Sequence, residues 1–313
     1  MKKITKLKKL KAEFGLKYSG IVLIERILHK INQDGILAHK MNRIRYNWIE
    51  SYLTKNYSDL INKYASTHRE YKILSSKYIW IFWWQGLESA PDLVKKCIQR
   101  VKNEARKINK NVIIIDKSNY DSYVSVPQEI VLKVKTGIFP YFFFADILRL
   151  CLLSSYGGIW IDATVFLKDE IELQIGDNLY FYTVKRNIGK KWSVARGLWS
   201  TFFLASGKKN AGLLLARDLM LQYAMDHNEI AAYFLLDACL AIAYDNVNSF
   251  REEVDEVPIN NIKVFDMMKH INENVSSFEY PERINKLTYK DKVQIYNKNE
   301  LTVYGAILKN KLN

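Results

Sequence analysis

Four polar residues in an otherwise apolar stretch carry the most chemistry in this chain: Asp146, Arg149, Asp162 and Thr164. Asp146 and Arg149 stand three apart within the apolar run 138–153, a spacing that puts both on one face of a helix. Burying either one unpaired is costly, so they either pair with each other or line a polar cleft. Asp162 follows Ile159-Trp160-Ile161, where a short buried strand runs out. In open α/β sheets, ligands bind in the crevice beyond the carboxyl ends of the strands. Thr164, two residues further along extended chain, presents its hydroxyl on the same side as the Asp162 carboxylate. Two oxygens so placed suit Mg²⁺ or Mn²⁺, which commonly complete their shell with water and diphosphate oxygens. Gly157-Gly158, just before the strand, permits positive φ or close backbone approach.

These residues need elements to bring them together. The run from Lys77 to Trp84 is β-branched and aromatic and ends at Gln85-Gly86, which reads as a buried strand. Pro91 opens a helix with Ser89 as its cap, and Leu93, Val94, Cys97, Ile98 and Val101 form its apolar face. Val112-Ile113-Ile114-Ile115 is a second buried strand. This β-α-β order predicts an α/β sheet. Helices are expected over 127–134 and 142–155, the latter stopped by Gly157-Gly158, with extended chain resuming at 165–167. Further strands are expected at 179–183, 199–205 and 262–265, and further helices at 213–223 and 231–243. The chain after Asn285 is weakly patterned.

Composition excludes several classes. The 313 residues are 49% hydrophobic, with 13 Gly and 5 Pro, enough apolar material for a full core and unlike a disordered or collagenous chain. No run of about 18 apolar residues occurs, so no membrane-spanning helix is expected. The N-terminus is basic but lacks an apolar segment and a small-residue cleavage site, so no secretory signal is expected. Cys97, Cys151 and Cys239 are far apart and odd in number, which suits buried free thiols in a reducing, cytoplasmic setting. The five histidines form no ligand-spaced cluster, which argues against a Cys/His zinc site.

The formal net charge is +14, and residues 1–70 hold 15 Lys/Arg against 6 Asp/Glu. Ile4, Leu7, Leu10, Phe14 and Tyr18 recur at spacings of three and four among six lysines, a basic amphipathic helix. Such a helix either adsorbs to an anionic membrane surface or packs on the main domain. No nucleic-acid-binding motif accompanies the charge, so nucleic acid is not an expected partner. Residues 1–75 read as a helical basic extension and 76–313 as the main α/β domain.

The pieces in order resemble a known family. Ala145-Asp146-Ile147-Leu148-Arg149 followed by Tyr156-Gly157-Gly158-Ile159-Trp160-Ile161-Asp162-Ala163-Thr164 resembles the capsular polysaccharide synthesis glycosyltransferases. These are bacterial relatives of the DXD-containing sugar transferases of glycosyltransferase family 32. Ile79-Trp80-Ile81-Phe82-Trp83-Trp84-Gln85-Gly86, Tyr123-Val124 with Pro127, and Lys286-Leu287-Thr288 resemble further segments of that family. The resemblance spans roughly residues 77–290. It implies a GT-A-type nucleotide-sugar-binding domain, a divalent metal (Mn²⁺ or Mg²⁺), and transfer with retention at the anomeric carbon.

Carried over by residue, the resemblance puts Trp80 and Trp83 near base and ribose, although their strand parity differs. It puts Asp146 at the ribose or sugar and Arg149 at the sugar or phosphates. Gly157, Gly158 and Ala163 join the donor-binding segment. Asp162 would meet the metal or donor sugar together with Thr164, which stands where the second DXD carboxylate belongs and is a poorer Mn²⁺ ligand. Asp237, within Tyr233-Phe234-Leu235-Leu236-Asp237, would complete a catalytic set of Asp146, Arg149, Asp162 and Asp237.

Lys185, Arg186 and Arg196, in the loop 185–197, are candidates for the leaving diphosphate. No convincing pair of carboxylates flanks a common point, which favours attack by the acceptor on the face that the diphosphate leaves. The expected partners are a nucleotide sugar, a UDP-sugar foremost, and a glycan or lipid-linked oligosaccharide acceptor at the inner face of a bacterial membrane. Two other readings stand beside this one: a sugar nucleotidyltransferase, disfavoured by the absence of a Gly-rich phosphate loop, and a non-catalytic glycan- or membrane-binding protein on the same fold.

Overall fold

The computed structural model describes residues 2–33, 35–168, 179–188, 192–279 and 282–312. The chain opens with three helices: α1 (Lys2–Ile31), α2 (Ile36–Asn56) and α3 (Ser58–Tyr64). Gly15, at φ 81° and ψ 177°, breaks α1 into two pieces. Then come β1 (Tyr78–Phe82), α4 (Asp92–Lys107), β2 (Asn111–Ile115), α5 (Gln128–Lys135), α6 (Tyr141–Tyr156), β3 (Gly158–Ile161) and β4 (Val165–Leu167). They are followed by β5 (Phe181–Thr183), β6 (Phe203–Ser206), α7 (Ala211–Asp226), α8 (Leu235–Asn246), α9 (Asn248–Glu256), α10 (Asp266–Lys269), β7 (Ile284–Lys286), β8 (Tyr296–Asn297), β9 (Glu300–Leu301) and α11 (Val303–Leu308).

The main sheet has the order β2-β1-β3-β6-β5. β1 pairs in parallel with both β2 and β3, while β6 runs antiparallel to β3 and β5. The fold is therefore mixed α/β, as the β-α-β order predicts. The chain leaves β1 to one side for β2 and returns to the other side for β3. The carboxyl ends of β1 and β3 thus flank a topological switch point, where open α/β sheets leave a crevice. A smaller pair, β4 with β7, runs antiparallel with Val165 opposite Lys286.

Alternation along β1 separates the two sides of the sheet. Ile79 and Ile81 pack with α4 residues such as Val94 and Ile98. Trp80 points the other way, into a large core shared with α6, α7 and α8. Leu10, Phe14, Tyr18, Val22, Tyr46, Ile49 and Leu53 belong to that same core. The basic helix therefore turns its apolar stripe inward, onto the rest of the protein; the side chain of Ile4 lies outside the described residues. Polar ties reinforce the join. Arg45 of α2 donates to the Ala231 carbonyl at 2.5 Å, and Glu13 of α1 accepts from the Asn228 amide at 2.7 Å.

Some local expectations need correction. Ser89 does not cap α4: its hydroxyl donates to the Gln85 and Gly86 carbonyls, and Pro91 itself occupies the cap position. The segment 262–265 is turn, because it leads into the short helix α10; the late strand is β7, at 284–286. The strand read at 199–205 begins only at Phe203, and the helix read from residue 231 begins at Leu235.

Gly157 and Gly158 are turn chemistry. Gly157, at φ 65°, is the C-cap of α6, and its amide closes onto the Leu153 carbonyl at 2.8 Å. Gly158, at φ 102°, runs so close to β1 that a Cβ would lie 2.3 Å from the Tyr78 carbonyl oxygen. Both conditions exclude a side chain. Gly158→Ala is expected to cost at least about 1–3 kcal/mol from the backbone conformation alone. It would appear as a clear drop in melting temperature; an unchanged Tm would refute the close approach.

Candidate functional site

The site is built at the end of β3. Asp162 leaves the strand with both carboxylate oxygens engaged. Oδ1 accepts from Arg149 Nη2 at 3.0 Å and from Trp160 Nε1 at 2.9 Å, and Oδ2 accepts from Lys286 Nζ at 2.7 Å. Arg149 reaches across from α6, which packs on β1 and β3. Its other nitrogen, Nη1, donates to Asp146 at 2.5 Å, and its guanidinium lies 4.8 Å from the Trp160 ring centroid. The three-residue spacing thus does both things open to it: Asp146 and Arg149 pair, and the pair lines a cleft. Lys286 arrives from the last residue of β7. The β4–β7 register sets it beside Thr164, whose Oγ1 accepts from the same ammonium at 2.8 Å.

Charge follows from these partners. Burial opposes ionisation of Asp162, but Lys286 and Arg149 outweigh it and hold its carboxyl well below the usual range. Burial dominates at Asp146 and lifts it to about 6, against the pull of Arg149. Asp237, in the first turn of α8, is pushed by burial to about 7, and the nearby charge of Asp146 adds to the rise. Its Oδ1 accepts from Trp199 Nε1 at 3.0 Å. Three carboxyls within one hollow therefore have separated proton affinities, a pattern typical of functional sites.

The hollow has a volume of about 560 Å³, within the size range of small-ligand sites. Asp146, Arg149, Asp162, Ala163, Thr164 and Asp237 all line it, as do Trp83 and Lys286. Its walls are aromatic: Trp84 stacks on Tyr141 at 5.3 Å, and Trp83 meets Tyr289 edge-on at 5.3 Å. A second hollow of about 470 Å³ adjoins it and shares Thr201, Phe202, Phe234, Asp237 and Phe265 with it. α2 contributes His39, Asn42 and Tyr46 to that second space.

The structure does not bring every expected residue here. Trp80 is fully buried on the opposite side of β1 from the isoleucines, and its Nε1 donates to the Gly157 carbonyl at 2.9 Å. It is a core residue, consistent with its parity; Trp83, beyond the strand end, is the one at the cleft. Gly157 and Gly158 sit at the opposite end of β3 from Asp162, about 13 Å away at the rise of a strand. Lys185 donates to the Val254 and Asp255 carbonyls, and Arg196 pairs with Asp245 and Glu50, so neither points at the cleft. Arg186 lines the second hollow. Residues 189–191 of that loop lie outside the described residues. Sequence reading missed Lys286, Trp199 and Tyr289 as site residues. Lys286 was visible only as part of a family-like Lys-Leu-Thr, with no chemistry attached to it.

The two oxygens expected to meet a divalent cation are engaged by a side-chain cation instead. Among the described residues, no group of three or more His, Cys, Asp and Glu side chains could hold a metal. Asp162 and Thr164, the two oxygens expected to bind one, both already accept from Lys286.

Asp237 has a consequence for stability. Its folded-state affinity for a proton is raised above that of the unfolded chain. The stabilising effect of the neutral carboxyl is complete below the ordinary carboxylate range and is lost as pH rises to about 7. Asp146 and Glu253, also raised by burial, act in the same direction. Asp237→Asn should therefore flatten, without abolishing, the fall in Tm between about pH 4 and 7. A variant with the wild-type slope in thermal melts would contradict the burial of this carboxyl.

No curated protein and no solved structure matches the chain. A family model described as capsular polysaccharide synthesis protein matches residues 30–307, which takes in α2 and α3 and every residue of the cleft. The chain belongs to the capsular polysaccharide synthesis protein family.

Proposed function

We propose that the protein is a glycosyltransferase of capsule synthesis, related to family 32 and built on a GT-A-type domain. In this reading it moves a sugar from a nucleoside diphosphate sugar, a UDP-sugar foremost, to a glycan or lipid-linked oligosaccharide. One observation carries the proposal. A cleft at the topological switch point holds Arg149 and Lys286 around a deprotonated Asp162, with Asp146 and Asp237 close by. Two fixed cations in an aromatic-walled hollow suit a diphosphate leaving group, whose developing charge they would stabilise. Trp83 offers a flat wall for a base. Asp237 lines both hollows, so the acceptor is assigned to the second and its hydroxyl to the neighbourhood of Asp237.

A thermal-shift panel of UDP, GDP, CMP and TDP tests the donor assignment. A nucleotide at about 100 times its Kd stabilises the folded state by about 2.7 kcal/mol. UDP should raise Tm, and Asp162→Asn should abolish both the shift and donor turnover while the protein remains folded. Silence from every nucleotide, together with no hydrolysis of any nucleotide sugar, would favour a glycan-binding protein instead. Pyrophosphate release from a nucleoside triphosphate would favour a nucleotidyltransferase.

The acceptor reading includes an anionic membrane surface. No described helix is long and apolar enough to cross a bilayer. The second half of α1 nevertheless leaves Leu23, Ile24, Ile27 and Ile31 exposed, and α2 adds Ile36 and Leu37. Lys17, Lys30 and Lys40 lie in the same two helices. Basic residues around an apolar helical face suit an acidic headgroup layer. This is not the stripe of Leu10, Phe14 and Tyr18, which the core covers. Leu23→Ser with Ile27→Ser should lose sedimentation with vesicles rich in phosphatidylglycerol while keeping the wild-type Tm. Equal sedimentation of variant and wild type would remove the membrane from the proposal.

A further inference from the structure

We infer that Lys286 takes the place of the divalent cation, so that sugar transfer by this protein needs no metal; this rests on the donor-site reading above. The position matters first. A metal held by the Asp162-Ala163-Thr164 segment would have to bind the Asp162 carboxylate and the Thr164 hydroxyl. Lys286 Nζ lies 2.7 Å from the first and 2.8 Å from the second, so one cation already bridges the two. The remaining oxygen, Asp162 Oδ1, already accepts from both Arg149 and Trp160. A divalent ion binding there would have to expel the ammonium and sit near the Arg149 guanidinium.

Thr164 where a carboxylate would serve a metal is a loss for Mn²⁺, whereas its neutral hydroxyl accepts from the ammonium without cancelling any of its charge. An ammonium has three donors. Asp162 and Thr164 use two, and the side chain stays 21% exposed at the cleft wall, which leaves the third for a phosphate oxygen. Phe202, 5.5 Å from the ammonium to the ring centroid, braces its approach from the other side.

The step balances without a metal. The bond from the anomeric carbon to the β-phosphate oxygen breaks, and its electron pair stays on the diphosphate. The acceptor oxygen bonds the same carbon, and its proton passes to the departing diphosphate oxygen. Lys286 and Arg149 stabilise the charge on that leaving group, and each keeps its own proton.

Calorimetric titration of the full chain with UDP and GDP, once in EDTA and once in Mn²⁺, tests this, together with hydrolysis of UDP-glucose and UDP-N-acetylglucosamine under both conditions. Binding and turnover in EDTA should match those in Mn²⁺ within about threefold. Lys286→Met should weaken diphosphate binding about tenfold or more under both conditions, and Lys286→Arg should restore most of it. Binding or turnover that appears only with Mn²⁺ overturns the inference and leaves the donor site standing. Undiminished binding by a folded Lys286→Met overturns it too. If that variant fails to fold, the wild-type comparison of EDTA with Mn²⁺ decides alone. No nucleotide binding and no hydrolysis under either condition overturns both this inference and the donor reading.

Discussion

The Asp162 carboxylate is the point on which the rest of the site depends. It is half-buried at the end of β3 and ionised, which is costly unless strong donors surround it. Three do: a guanidinium from α6, an indole from its own strand, and an ammonium from β7. Each donor comes from a different part of the chain, so the carboxylate ties helix, sheet and the β4–β7 pair together. Arg149 must reach Asp162 and Asp146 at once, which sets how α6 lies on the sheet. Lys286 must reach Asp162 and Thr164 at once, which suits the register of the small sheet.

This constraint accounts for the two glycines at the far end of β3. α6 has to end and reverse into the strand within one residue, or Arg149 and Asp162 would not face each other. Gly157 at positive φ makes the reversal, and Gly158 lets β3 press against β1. The glycines do not touch the cleft, yet its geometry rests on them.

The N-terminal helices have two faces with different duties. Phe14, Tyr18 and Val22 complete the core against α7 and α8, while the outward residues of the second half of α1 remain exposed. The break at Gly15 separates the lysine-rich first piece from that second half. α2 belongs both to the core and to the second hollow through Tyr46 and His39. A segment that reads as an extension is thus part of the wall of a candidate acceptor site.

Local sequence determined the elements that depend on short-range patterns. The aromatic strand at β1, the isoleucine strand at β2, the amphipathic α4 and the glycine stop after α6 are all legible from periodicity and turn chemistry. So are the Asp146–Arg149 pair and the strand-end position of Asp162, because helix spacing and a strand end are local facts. Tertiary structure decided the rest. Lys286 lies 124 residues from Asp162, in chain with weak patterning, and only the β4–β7 register joins them. Strand parity already separates Trp80 from Trp83, but only the packing around β1 shows which of them enters the core and which lines the cleft. The charge state of Asp237 depends on burial against Trp199 and the field of Asp146, neither of which is nearby in sequence. The physical reason is common to all three. Pattern records what a residue's own element buries, whereas electrostatics and ligand geometry depend on which distant elements arrive beside it.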